Sequence, residues 1–301
     1  MRAEPVGPNG QAAAIAILNP EAGHGAGRRL APNLARSFRE AGMRIEVLVT
    51  PGPSEAARLA AEAADDGYAI VIAAGGDGTA NEVANGLIGT TTALALYPLG
   101  SGNDLARGLG YPRRLREVPA FIAGARRRVI DVGELNGRVF VNAAGVGIDG
   151  VVAEGVRGST RVVGPTLGYF AGALAAIATY RAMPMRITID GESREGRHLI
   201  VVASNGKFFG SGMRPAPAAS LDDGWLDITL ACELSMAATL AALARLYRGT
   251  HVNGTTIQTR RARSLEIELD RQIAIEVDGE VIRASHVSIK VRPGALAVIA
   301  P

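Results

Sequence analysis

Short apolar runs alternate with amphipathic stretches over the first third of the chain. Ala13 to Leu18, Arg44 to Val49, Ala69 to Ala74 and Ala93 to Tyr97 read as strands. Between them, Arg28 to Ala41, the Ala-rich stretch opening at Ser54, and Asn81 to about Gly89 carry helical spacing, with Ser54 the expected N-cap of the second helix. This alternation predicts βαβ units and a mainly parallel sheet. After Arg126-Arg127-Arg128 the period shortens toward two. Strands are expected at Val129 to Leu135, Val139 to Ala143, Met185 to Asp190, Leu199 to Ala203, Leu226 to Ala231, Ser264 to Leu269, Ile273 to Val277 and Val287 to Val291, with one helix at Ser235 to Tyr247. The pattern predicts an α/β domain over 1–128 and a mainly antiparallel, β-rich domain over 129–295, with Leu296 to Ile299 returning to complete the first.

A chain of 301 residues that is 48% hydrophobic can bury a core in each of two such domains. Its formal charge of +3 comes almost entirely from Arg, whose planar forks suit phosphate oxygens. Aromatic residues make up only 4%, too few for base stacking, so nucleic acid is the least favoured anionic partner. Cys232 stands alone, which excludes a disulfide framework and a cysteine zinc site and suits a reducing compartment. His24, His198, His251 and His286 lack metal-ligand spacing and are expected in loops or at the surface. The apolar run before Asn19-Pro20 reads as a strand and not a signal peptide. Leu167 to Tyr180 falls short of the ~20 residues a spanning helix needs. It is expected as a buried helix, with lipid or membrane contact the less favoured reading, and Arg126-Arg127-Arg128 as a solvated segment rather than a headgroup site.

Three of the predicted strands end in glycine-rich polar loops, and ligands of open α/β sheets bind beyond the carboxyl ends of strands. Gly75-Gly76-Asp77-Gly78-Thr79 lies between strand and helix, where glycines let the backbone approach phosphate and turn N–H groups toward it. Asp77 beside a polyanion calls for an intervening Mg²⁺ ion or water network. Taken alone, the same run is also an ordinary tight turn. Pro98-Leu99-Gly100-Ser101-Gly102-Asn103-Asp104 on the next strand favours the phosphate reading. Asp222-Asp223-Gly224 and Asp278-Gly279 likewise read as hairpin turns, the second leaving Glu280 exposed on the following strand.

In order along the chain, Asn19-Pro20 with Gly23, Gly25 and Gly27, the Gly75 to Val83 block and the Pro98 to Asp104 loop resemble the N-terminal motifs of the diacylglycerol kinase catalytic-domain family. That family includes soluble bacterial lipid kinases and the sphingosine and ceramide kinases. Asn142 to Asp149, Asn205-Gly206, Asp222-Asp223-Gly224 and Val277-Asp278-Gly279-Glu280 resemble its C-terminal motifs. The resemblance spans nearly the whole chain. It implies an NAD kinase-like first domain, ATP and Mg²⁺ as cofactors, and γ-phosphoryl transfer to a lipid hydroxyl, with diacylglycerol the default acceptor. ATP contacts are implied for Thr50, Gly75, Gly76, Asp77, Gly78, Thr79, Ala80, Asn81 and Ser101, the last in place of a commoner Thr. Glu280 is implied as the proton acceptor and Asp77 as its partner in catalysis near the nucleotide's metal. A structural Mg²⁺ is implied at Asp223 with carbonyls of Ser220 and Trp225. The expected setting is cytoplasmic with peripheral membrane contact, since the lipid must be met at the interface. A homodimer is compatible with the resemblance but not readable from the residues. The competing readings are an NAD kinase-like small-molecule kinase, which shares the Gly-Gly-Asp-Gly-Thr loop, and a non-catalytic lipid- or nucleotide-binding member of the fold.

Overall fold

The computed structural model describes residues 14–152 and 180–301 and divides into two compact units. The first gathers the described residues up to Asp131 together with Pro293–Pro301, and the second runs from Val132 to Arg292. The expected segment Leu167 to Tyr180 lies, except for Tyr180, outside the described residues.

In the first unit, β1 (Ala14–Leu18), β2 (Ile45–Val49), β3 (Ile70–Gly75) and β4 (Ala93–Pro98) form a parallel sheet in the order β2-β1-β3-β4. The C-terminal end of the last strand, β13 (Glu280–Ala300), adds beside β4 through Val298 opposite Leu94. All five residues of β1 and the last five of β3 are buried, as expected for strands covered on both faces. Tyr111 ties the new edge down: its hydroxyl donates to the Ile299 carbonyl at 2.7 Å and accepts from the Leu96 N–H at 3.2 Å. The helices are α1 (Ala22–Glu40), α2 (Ala56–Asp65), α3 (Asp77–Leu87), α4 (Asp104–Gly108) and α5 (Val118–Gly124).

Two details depart from the sequence expectation. Ser54 does not cap α2: it has a positive φ of 63°, Glu55 takes the cap position, and the Glu82 carboxylate accepts the Ala56 N–H at 3.1 Å. Arg126 to Arg128 are exposed as expected but belong to the strand itself, β5 (Arg126–Leu135), and Arg127 donates to the Thr91 carbonyl.

The second unit is antiparallel. Its strands are β6 (Arg138–Phe140), β7 (Ala143–Gly147), β8 (Met183–Ile189), β9 (Glu192–Ser204), β10 (Leu226–Cys232), β11 (Ile257–Ala262), β12 (Ser264–Val277) and the start of β13. β9 pairs with β10, β7 and β8, and β12 pairs with β13, β7 and β8, so the two long strands close around one core. Alternate residues point inward: Leu265 and Ile267 are fully buried with Ile187, Ile189 and Leu226, whereas Glu266 and Glu268 face outward. A helix, α6 (Met236–Leu246), is capped by Ser235, whose hydroxyl accepts the Ala238 N–H at 3.3 Å.

Candidate active site

In the first unit the glycine loops after β3 and β4 lie backbone to backbone. A Cβ on Gly100 would sit 2.7 Å from the Gly76 Cα, and one on Gly23 would sit 2.6 Å from the Leu99 carbonyl oxygen, so side chains are excluded from this contact. Asp77 locks the pair. Its two carboxylate oxygens accept the Asn103 N–H at 2.7 Å and the Asp104 N–H at 2.6 Å, while Asn103 folds back on Gly100 through both ends of its amide. The Asn19 amide donates to the Thr79 hydroxyl at 3.1 Å, bringing the loop after β1 to the same place. Burial raises the Asp77 carboxyl above the ordinary range, against the pull of the backbone N–H donors.

Gly76, in extended backbone geometry, offers no side chain to cap α3, so the first-turn N–H groups and the positive end of the helix are left for an anion. Gly78 stands open, with nothing near the position of a Cβ. Thr79, Ala80 and Asn81 are buried in the first turns, and the Asn81 amide oxygen accepts from Asn85 at 3.1 Å. Thr50 is buried at the end of β2, its N–H on the Leu18 carbonyl at 2.9 Å, and Ser101 is exposed at the loop tip. The ATP contacts expected from sequence therefore occupy loops or first turns at the carboxyl ends of three parallel strands. This arrangement suits the phosphates of a nucleotide. The Asp77 carboxylate is occupied by backbone N–H groups, so the Mg²⁺ that a nucleotide carries would meet it through water.

The second unit gathers its own motifs around Asp278. That side chain accepts the N–H groups of Val141, Asn142 and Ala143 at 2.6, 3.0 and 3.0 Å, and its own N–H donates to the Ala143 carbonyl at 3.1 Å. Asn205 and Gly206 donate backbone N–H groups to the Asn142 carbonyl at 2.8 and 2.9 Å. Asp278 and Gly279 both have positive φ, 45° and 89°, the geometry of a two-residue hairpin turn of the primed kind. Glu280 follows as the first residue of β13, its side chain 30% exposed and paired with Arg138. Arg138 is an addition that residue spacing could not supply, and the contacts of Asp278 and Asp149, named from sequence only as parts of longer motifs, come from the fold.

Asp223 accepts the Trp225 N–H at 3.1 Å and is paired with the Arg261 guanidinium, and the Ser220 hydroxyl donates to Asp222 at 2.8 Å. As arranged, the Arg261 guanidinium occupies the Asp223 carboxylate, and a cation at this turn would have to displace it.

Between β9, β10 and α6 lies a cavity of about 430 Å³. Ile200, Val202, Phe209, Met213, Leu243 and Leu246 supply much of its lining, and Asp149 and His251 are polar groups on its wall. Against the expectation of loop or surface histidines, His198 is buried within β9, while His251 lies in a loop as expected but is also buried. His251 stays neutral because burial lowers its pKa, and its Nε2 lies 3.2 Å from the Pro215 carbonyl, which it can only serve as donor. Asp149 presses its carboxylate against Gly145, where a Cβ would lie 2.0 Å from Oδ2, and that oxygen has no hydrogen-bond partner among the described residues. Burial lifts its pKa from 3.8 to about 7. A raised carboxyl pKa favours folding below the unfolded value, and the contribution fades as pH rises toward the folded one. The native chain should lose stability relative to Asp149→Asn as pH rises from about 4 to 7. Urea melts across that range check this, and parallel curves for the two proteins would discard it.

Comparison with known proteins agrees with this architecture. The model described as the diacylglycerol kinase catalytic domain matches residues 13–135. The YegS C-terminal NAD kinase beta sandwich-like domain matches residues 142–300. The chain belongs to the diacylglycerol kinase and YegS-like lipid kinase family, and is a kinase. It is 29% identical to a diacylglycerol kinase of Bacillus subtilis strain 168, over 88% of each chain. With a Pseudomonas aeruginosa PAO1 protein named "Probable lipid kinase YegS-like" it shares 34% identity over 87% of each. A crystal structure of a diacylglycerol kinase from Bacillus anthracis strain Sterne superposes with a TM-score of 0.75 at 25% identity, covering 96% of each chain.

Proposed function

We propose that this kinase transfers the γ-phosphoryl group of ATP to the hydroxyl of a membrane lipid, with diacylglycerol the favoured acceptor. The observation that carries the lipid assignment is the apolar cavity of about 430 Å³ in the second unit, a lining suited to hydrocarbon and unsuited to a charged dinucleotide. The printed name of the Bacillus subtilis relative favours diacylglycerol among hydroxyl lipids.

The loops held by Asp77 bind the nucleotide phosphates through backbone N–H groups and the α3 terminus. Mg²⁺ carried by ATP near Asp77 would neutralise charge on the transferring group. Glu280 takes the proton of the lipid hydroxyl as its oxygen bonds to the γ-phosphorus and the bond to the β-phosphate oxygen breaks, releasing ADP. Arg138 pairs with Glu280 and fixes the position of its carboxylate.

Among the described residues no helix is long and apolar enough to cross a membrane. The reading therefore places the reaction at the bilayer surface, on the cytoplasmic side where ATP is found. The test is ATP-dependent phosphate transfer by the purified chain to diacylglycerol, phosphatidylglycerol, ceramide, a sphingoid base and NAD. Label is expected in diacylglycerol. Label in NAD alone would replace this reading with the small-molecule kinase, and no label in any acceptor with the binding protein.

A further inference from the structure

The helix α6 has no fully buried residue. At about 100° per residue its side chains sort into two halves. Ala238, Thr239, Ala242, Leu243 and Leu246 are half-buried, and Leu243 and Leu246 line the apolar cavity. The other half is exposed and carries Met236, Ala237, Leu240, Ala241, Ala244 and Tyr247, with Met236 52%, Leu240 40% and Tyr247 50% accessible; of these Leu240, Ala244 and Tyr247 also border the cavity, and Met236, Ala237 and Ala241 do not. The solvent face of a surface helix is ordinarily polar, and one that is apolar all round has a second partner. The only charges on this exposed half are Arg245 and, just past the helix, Arg248. No Asp or Glu occurs anywhere from Leu234 to Leu265.

We infer that the exposed face of α6 is the membrane-docking surface of the protein. Met236, Ala237 and Ala241 enter the interface of an anionic bilayer, and Arg245 and Arg248 meet its headgroups. The charge pattern selects this occupant: an apolar strip flanked by arginines and free of acids matches anionic lipid, the composition of a helix that lies in the interface plane. Continuity supports it as well, because Leu240, Ala244 and Tyr247 of this same face border the cavity assigned to the lipid. Docking there would set the cavity wall against the bilayer from which its ligand comes. This step rests on the lipid-kinase reading only for its purpose; the docking itself is separately measurable.

The experiment is sedimentation of the full chain with vesicles of phosphatidylcholine alone and of equal parts phosphatidylcholine and phosphatidylglycerol. Native protein should bind the anionic vesicles and lose that binding in high salt. Met236→Glu with Ala241→Glu should weaken it at least tenfold, and Arg245→Ala and Arg248→Ala by roughly fivefold each. None of these four residues lines the cavity, so phosphorylation of a short-chain diacylglycerol dispersed in detergent should stay at the native rate. Undiminished vesicle binding by the folded Glu double variant would overturn the inference. So would native self-association that the Glu variant abolishes without any change in vesicle binding, since the face would then belong to a second copy. A native chain that phosphorylates no lipid yet docks through α6 would cost the kinase reading its substrate and leave the docking surface standing.

Discussion

Replacing Glu280 by Gln should lower kcat by roughly 10²–10⁴ and leave the fold in place. The expectation rests on what Glu280 does not do. It sits at the first position of β13 with 30% of its side chain exposed, and its side-chain ion pair is with Arg138, itself 39% exposed. A pair this open contributes at most about 1 kcal/mol, so the melting temperature should move by only a few degrees. Gln keeps the length of the side chain and an oxygen for Arg138, but it has no carboxylate to take a proton. The loss should therefore appear in kcat at saturating lipid, with KM for ATP near the native value because the proposed nucleotide contacts lie on other loops. Initial rates with diacylglycerol in mixed micelles, beside a thermal melt, separate the two effects. A folded Gln variant that retains activity within a few-fold of native would remove Glu280 as the base.

How much of this could be read beforehand depended on whether the deciding contact was local. The strands β1, β3 and β4 were legible because strands of a parallel sheet buried on both faces are continuous apolar runs. By contrast, Ser264 to Leu269 and Ile273 to Val277 read as two strands although β12 is one. The polar residues Asp270, Arg271 and Gln272 fall at a register shift between Glu268 and Ile273, where the strand bulges and faces solvent. Pro293-Gly294 hid the continuity of β13 in the same way, and Arg260 and Arg261 concealed β11, whose outer side is polar. For the site, the close backbone approach of the glycine loops was legible, since glycine's tolerance is written into the sequence itself. The partners of Asp77 were not readable, because Asn103 and Asp104 lie 26 and 27 positions away and reach it only once the sheet has formed. His251 looked like a surface residue because nothing nearby in sequence reveals that Pro215 and the cavity wall enclose it.

Asp278 was legible as a turn residue inside a family motif but not as an anchor, yet Asp278→Ala should destabilise the second unit by about 3 kcal/mol or more. Its carboxylate accepts three backbone N–H groups from residues 135 to 137 positions earlier, all in buried surroundings. Alanine leaves those donors facing a space too apolar to hydrate them, and an unsatisfied buried donor costs about 1–3 kcal/mol. It must also hold a φ of 45°, which Asp and Asn tolerate and Ala resists by about 1 kcal/mol. For a unit of this size the melting temperature should fall by about 10 °C. Asp278→Asn keeps one oxygen and the tolerance for positive φ, so it should recover part of the loss. The consequence extends to chemistry, because the same turn aims Glu280 two residues later. The Ala variant should lose activity together with stability, whereas the Glu280 variant loses activity alone. Nucleotide affinity separates the cases further, since the loops held by Asp77 belong to the other unit and should still bind ATP. An Asp278→Ala protein that melts within a degree of native would show that the three N–H groups find other acceptors, and the turn would then be no anchor for the base.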